Sequence, residues 1–81
     1  MTVFEYKEKL LIESCDVVFS YNGKPCGVTP IYDGQNTRYE AWYGQELKVY
    51  SNIDDYLNDP MYDGKSIAQL LDRKVIEFDF Y

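Results

Sequence analysis

The chain has no histidine, two cysteines, three prolines, and eight basic residues against fourteen acidic ones in 81 positions. Each shortage closes a route. Without histidine, the usual general base and the commonest zinc ligand are both missing. Cys15 and Cys26 cannot complete a four-ligand zinc site on their own. No glycine-rich phosphate loop or metal motif compensates, so a non-enzymatic protein without a cofactor is expected. A net charge of −6 repels phosphate backbones and acidic lipid surfaces, and attracts a basic patch on another protein. Direct nucleic-acid binding is therefore not expected. No apolar run approaches the roughly 20 residues needed to span a bilayer. Met1-Thr2-Val3-Phe4-Glu5 lacks the basic segment and apolar stretch of a secretion signal. The expectation is a cytoplasmic protein with no membrane contact.

What is present suits one compact domain over residues 1–81: 46% of the residues are apolar and 17% aromatic, with no low-complexity run or linker. Thr2 and Glu5 fit a capping box, and Val3, Tyr6 and Leu10 recur at helical spacing, predicting an amphipathic helix over 3–13. Asn22-Gly23 separates two β-rich runs, 16–21 and 24–32, and is a strong hairpin signal because both turn positions need positive φ. Phe19 then faces Cys26, and Val17, Phe19, Cys26 and Val28 share the core face. Cys15 falls opposite Pro30, four residues along the ladder from Cys26, so the thiols lie beyond disulfide reach and are read as reduced. Two further strands follow, 38–43 and 46–50, reversed at Gly44-Gln45. Ser51 is expected to cap a short helix over 52–58, which Pro60 ends. A second helix follows Gly64, and 75–81 alternate as a half-buried strand. The fold class is α+β: an N-terminal helix, an antiparallel meander of about four strands, two short helices and a C-terminal strand, with the helices on one side of the sheet.

Gly64-Lys65-Ser66 matches the end of a phosphate loop. The glycine needed five positions earlier is Asp59, however, and Pro60 removes a backbone donor. Ser66 with Gln69 reads as a capping box, and Asp63-Gly64 as a turn. An EF-hand alignment starting at Asp59 puts Met61 and Leu70 where two essential oxygens belong.

The nine tyrosines and Trp42 carry more information. Aromatic side chains fill small cores, and they also anchor interfaces. If Trp42 and Tyr50 form one exposed patch, that patch is the candidate partner surface, with Trp42, Tyr43 and Tyr50 as anchors. Asp54, Asp55, Asp59 and Asp63 add four carboxylates within ten residues and no base. They are read either as steering charge toward a basic partner or as a surface imitating a phosphate track. Edge strands rich in tyrosine could equally pair with a second copy to give a homodimer.

Asn58-Asp59-Pro60 followed by Asp63-Gly64-Lys65-Ser66 and then Ile67 and Leu70 resembles the tail of small uncharacterised bacterial and phage-borne proteins. In these, a short helix ends at N-D-P and a D-G-K-S/T turn opens the next helix. The resemblance implies a helix-turn-helix corner against a sheet. In size, acidity and element order the chain is also similar to some phage-encoded anti-CRISPR inhibitors. No motif is shared with them and no residue role is carried over.

Overall fold

A computed structural model describes residues 1–74 and 76–81. It shows the predicted α+β order, assembled as a five-stranded antiparallel sheet with helices on one face. Helix α1, Val3–Leu11, opens with the Thr2–Glu5 capping box: the Thr2 hydroxyl accepts the Glu5 N–H, and Glu5 accepts the Thr2 N–H. It buries Tyr6 and Leu10 and ends at Leu11 rather than at residue 13. The N–H groups of Ile12 and Glu13 both fold back on the Glu8 carbonyl, and Ser14 takes a left-handed φ of 53° that no further helical turn can follow.

The strands β1 (Val17–Tyr21), β2 (Lys24–Asp33), β3 (Asn36–Tyr43), β4 (Glu46–Tyr50) and β5 (Asp79–Phe80) lie in the order β4-β3-β2-β1-β5. Asn22 and Gly23 have φ values of 54° and 72°, as the two-residue turn requires. The β1/β2 register pairs Phe19 with Cys26 and Tyr21 with Lys24, as the sequence predicts. Proline bounds this ladder. The backbone nitrogen of Pro30 is directed toward the β1 side and has no hydrogen to give, and β1 starts only at Val17. Cys15 instead donates its N–H to Lys9, and both thiols are free.

The C-terminal strand is shorter than its alternating pattern suggests. Only Asp79–Phe80 pairs with β1, flanked by reciprocal 2.9 Å bonds between Asp16 and Tyr81. Val75, the expected first residue of that strand, lies outside the described residues. Phe78 contributes through packing, its ring edge-on to those of Tyr6 and Phe19 at 5.4 and 5.0 Å.

Helix α2, Ile53–Asn58, is capped by Asn52 and not by Ser51: the Asn52 side chain accepts the Asp54 N–H at 2.8 Å. After Pro60, Tyr62 and Lys65 exchange two backbone hydrogen bonds around Asp63 and Gly64, both at positive φ. Gly64-Lys65-Ser66 is thus the end of a tight turn, and Ser66 forms the predicted capping box with Gln69 at the start of α3, Ile67–Arg73.

The core combines one face of the sheet (Val17, Phe19, Cys26, Val28, Tyr39, Ala41, Tyr43) with Tyr6 and Leu10 of α1, Ile53, Tyr56 and Leu57 of α2, and Ile67, Leu70 and Leu71 of α3. Three fully buried tyrosines meet inside it. Tyr56 Oη sits 2.9 Å from Tyr6 Oη and 2.9 Å from Tyr62 Oη. The hydroxyls satisfy one another, and among the described residues no buried side-chain nitrogen or oxygen lacks a partner.

Candidate functional site

Among the described residues every helix packs on one face of the sheet, which leaves the other face bare of helices. The ladder fixes which side chains stand there, because residues directly opposite on neighbouring strands share a face. Trp42 is paired with Leu47 on one side and Gly27 on the other, and Glu40 is paired with Val49 and Thr29. The bare face therefore carries Gly27, Trp42, Leu47 and Val49 in adjoining positions. Leu47 is 61% exposed and Val49 54% exposed, whereas Trp42 is half-buried.

Gly27 explains the burial of Trp42. The indole lies across β2 where Gly27 has no side chain; a Cβ there would collide with the six-membered ring of Trp42 and with the Val17 carbonyl oxygen. Beyond β2, the face continues as a groove of about 360 Å3 whose lining includes Val18, Ser20, Pro25, Glu77 and Asp79.

The other expected anchors do not join this patch. Tyr43 belongs to the core face, with the Lys24 ammonium 4.8 Å from its ring centroid and its hydroxyl accepting from Asn22 at 3.2 Å. Tyr50 pairs with the buried Tyr39 and so also turns to the helix side. There it packs on Tyr56 with ring centroids 5.5 Å apart and donates its hydroxyl to Asp59. Trp42 and Tyr50 consequently do not form one patch, because the β3/β4 register puts them on opposite faces. Leu47 and Val49, which replace Tyr50 beside Trp42, alternate with Lys48 and Tyr50, and it is the pairing of Trp42 with Leu47 that puts them on the wet face.

The four carboxylates separate into different environments. Asp54 is paired with Lys7 at 3.2 Å. Asp59 accepts from both Tyr50 and Lys48, the latter at 3.2 Å. The Tyr50 hydroxyl, followed by Lys48, holds the Asp59 carboxyl below its ordinary range, while burial and this carboxylate push the Tyr50 hydroxyl far above its own. Asp63 accepts from the Asn22 side chain at 3.3 Å, and Asp55 is exposed on α2. Asp59 thus ties the end of α2 to β4. Among the described residues, no three His, Cys, Asp or Glu side chains come together as metal ligands would. No helix among them is long and apolar enough to cross a membrane.

The buried thiol and hydroxyls face inward. Burial pushes the Cys26 thiol and the Tyr6, Tyr56 and Tyr62 hydroxyls up, which keeps them neutral and makes them poor nucleophiles at neutral pH. No protein-family model, curated protein or solved structure matches the chain.

Proposed function

We propose that this chain is a non-enzymatic binding module that docks on another protein through the bare face of its sheet. Trp42, Leu47 and Val49 are the apolar contact, and the acidic surface supplies long-range attraction to a basic partner. The supporting observation is the row formed by Trp42 and Leu47 with Val49 beside it. These large apolar side chains lie next to one another on the face that no helix covers, while the opposite face is filled by residues of the core. Aromatic and aliphatic groups clustered in this way give contact area at small entropic cost, and the net charge of −6 raises the encounter rate with a cationic surface.

A phage or mobile-element inhibitor that imitates nucleic acid with Asp54, Asp55, Asp59 and Asp63 has less support. Two of the four carboxylates are already engaged by Lys7 and Lys48, and Asp59 is committed to holding Tyr50.

The test is a tagged pull-down at low and high salt with three proteins: the natural chain, Leu47→Asp with Val49→Asp, and a variant with Asp54, Asp55 and Asp63 changed to Asn. Binding through the bare face predicts that the first variant loses the captured partner at both salt concentrations, whereas the second keeps it with slower association. Retention by the Leu47/Val49 variant, or turnover of a metabolite by the purified domain, would overturn the proposal.

A further inference from the structure

Strand β4 is an outer strand of the sheet, and its pairing shows which backbone groups remain open. The Gly44 N–H donates to the Pro25 carbonyl at 2.7 Å, so the even-numbered residues of β3 point their polar groups to β2 and the odd-numbered ones to β4. Tyr43, Ala41 and Tyr39 then bond to Glu46, Lys48 and Tyr50. The N–H and C=O groups of Leu47 and Val49 are left directed away from the sheet, on the strand where the side chains of both residues are more than half exposed. Such a row is a template for one more strand.

We propose that the added strand is β4 of a second copy, paired antiparallel about a two-fold axis at Leu47. This rests on the reading of the bare face as a binding surface and extends it: the second copy continues that face across the junction and leaves it open to the basic partner. Charge and apolar continuity both select the register. With Leu47 opposite Leu47 of the second copy, Glu46 of each chain faces Lys48 of the other, giving two opposite-charge pairs in the positions where cross-strand side chains come closest. The Lys48 side chain is 48% exposed even with Asp59 bound, so it has room for a second carboxylate. On the other face, Trp42 and Leu47 of one chain continue into Leu47 and Trp42 of its partner as an unbroken apolar row across the junction. Moving the axis to Lys48 would set two lysines against each other and break that row, because Leu47 would then face Val49, whose neighbour on β3 is Glu40. The chosen register joins two five-stranded sheets into one, with reciprocal Leu47–Leu47 backbone bonds at its centre.

The experiment is sedimentation velocity of the full chain over a dilution series with reductant present, alongside Glu46→Lys, Lys48→Glu and an equimolar mixture of the two variants. Circular dichroism verifies that each is folded. The natural chain is expected to dimerise, and each variant alone to dissociate with a constant raised roughly tenfold, since each places like charges together at both symmetric positions. The mixture should recover the natural affinity, because a heterodimer of E46K with K48E restores both opposite-charge pairs. A natural chain that stays monomeric to about millimolar concentration, the limit of weak association, overturns the inference. So does a mixture no tighter than its components, or an E46K variant that dimerises like the natural chain. Any of these results leaves the pull-down comparison of the Leu47/Val49 variant intact as the separate test of the bare face.

Discussion

Removing one oxygen atom from the centre of the core should cost more than removing either of the two that flank it. Among the described residues, Tyr56 Oη is the only link between Tyr6 Oη and Tyr62 Oη, each 2.9 Å away, and all three residues are fully buried. Tyr56→Phe leaves two hydroxyls without partners in a place water does not reach. At about 1–3 kcal/mol for each of the two orphaned groups, the loss is roughly 2–6 kcal/mol. Tyr6→Phe or Tyr62→Phe removes one end of the chain, and Tyr56 keeps its other bond, so about 1 kcal/mol is expected. The triple phenylalanine variant removes every polar demand at once and should be more stable than Tyr56→Phe alone. Urea unfolding followed by far-ultraviolet circular dichroism measures all four. With a slope of about 1–1.5 kcal/mol/M for a domain this small, Tyr56→Phe should lower the midpoint by at least about 1.3 M, and at the upper end of the range prevent folding altogether. The ordering decides the matter: if Tyr56→Phe is no worse than the flanking variants, or the triple variant is worse than Tyr56→Phe, the hydroxyls do not depend on one another as described.

The same cluster should set the alkaline limit. Burial raises the folded-state pKa of Tyr6, Tyr56 and Tyr62, so stability is complete below the unfolded value near 10 and falls as pH rises through the folded values. The slope is about 4 kcal/mol per pH unit for three tyrosines. Unfolding and the tyrosinate absorbance of these three residues should therefore appear together above about pH 10, and buried tyrosines that ionise while the dichroism stays native would contradict this. At the acid end the sign is reversed. The Asp59 carboxyl is held below its ordinary range, chiefly by the Tyr50 hydroxyl, so its contribution is present at neutral pH and is lost as pH falls below about 4 through the folded value. Asp59→Asn should flatten the acid limb of a plot of stability against pH, and an unchanged limb would rule out this role. Gly27→Ala should destabilise by roughly 2–3 kcal/mol in thermal or urea unfolding, because the new Cβ meets backbone at the Val17 carbonyl as well as the Trp42 ring. A neutral result would mean that β2 yields there easily.

Much of the fold was legible where local chemistry decides. Asn22-Gly23 fixed the first hairpin and its register, and Thr2–Glu5 and Ser66–Gln69 marked two helix starts through side chains that reach only three residues. Where two neighbouring residues could do the same task, the pattern was ambiguous. Ser51 and Asn52 are both good caps, and the chain uses Asn52 because α2 begins one residue later than expected. Alternation at 75–81 signals half-burial, but it carries no information about hydrogen bonding. Phe78 is half-buried through aromatic contacts, and only Asp79–Phe80 pairs in the ladder.

The candidate surface was partly legible for a similar reason. Placing Trp42 on the wet face followed from its position between Ala41 and Tyr43, both of which point inward. Assigning Tyr50 required the relative shift of β3 and β4. That shift pairs Tyr50 with Tyr39 and directs its hydroxyl to Asp59, a contact between segments that no short-range rule connects.

The only indole in the chain rests over Gly27 and is half open to solvent beside Leu47. Whatever settles on this side of the sheet must alter the wetness of that ring, so its ultraviolet emission becomes a built-in, label-free gauge of occupancy. The nine tyrosines can pass excitation energy to it, which makes the same signal sensitive to whether the interior remains assembled.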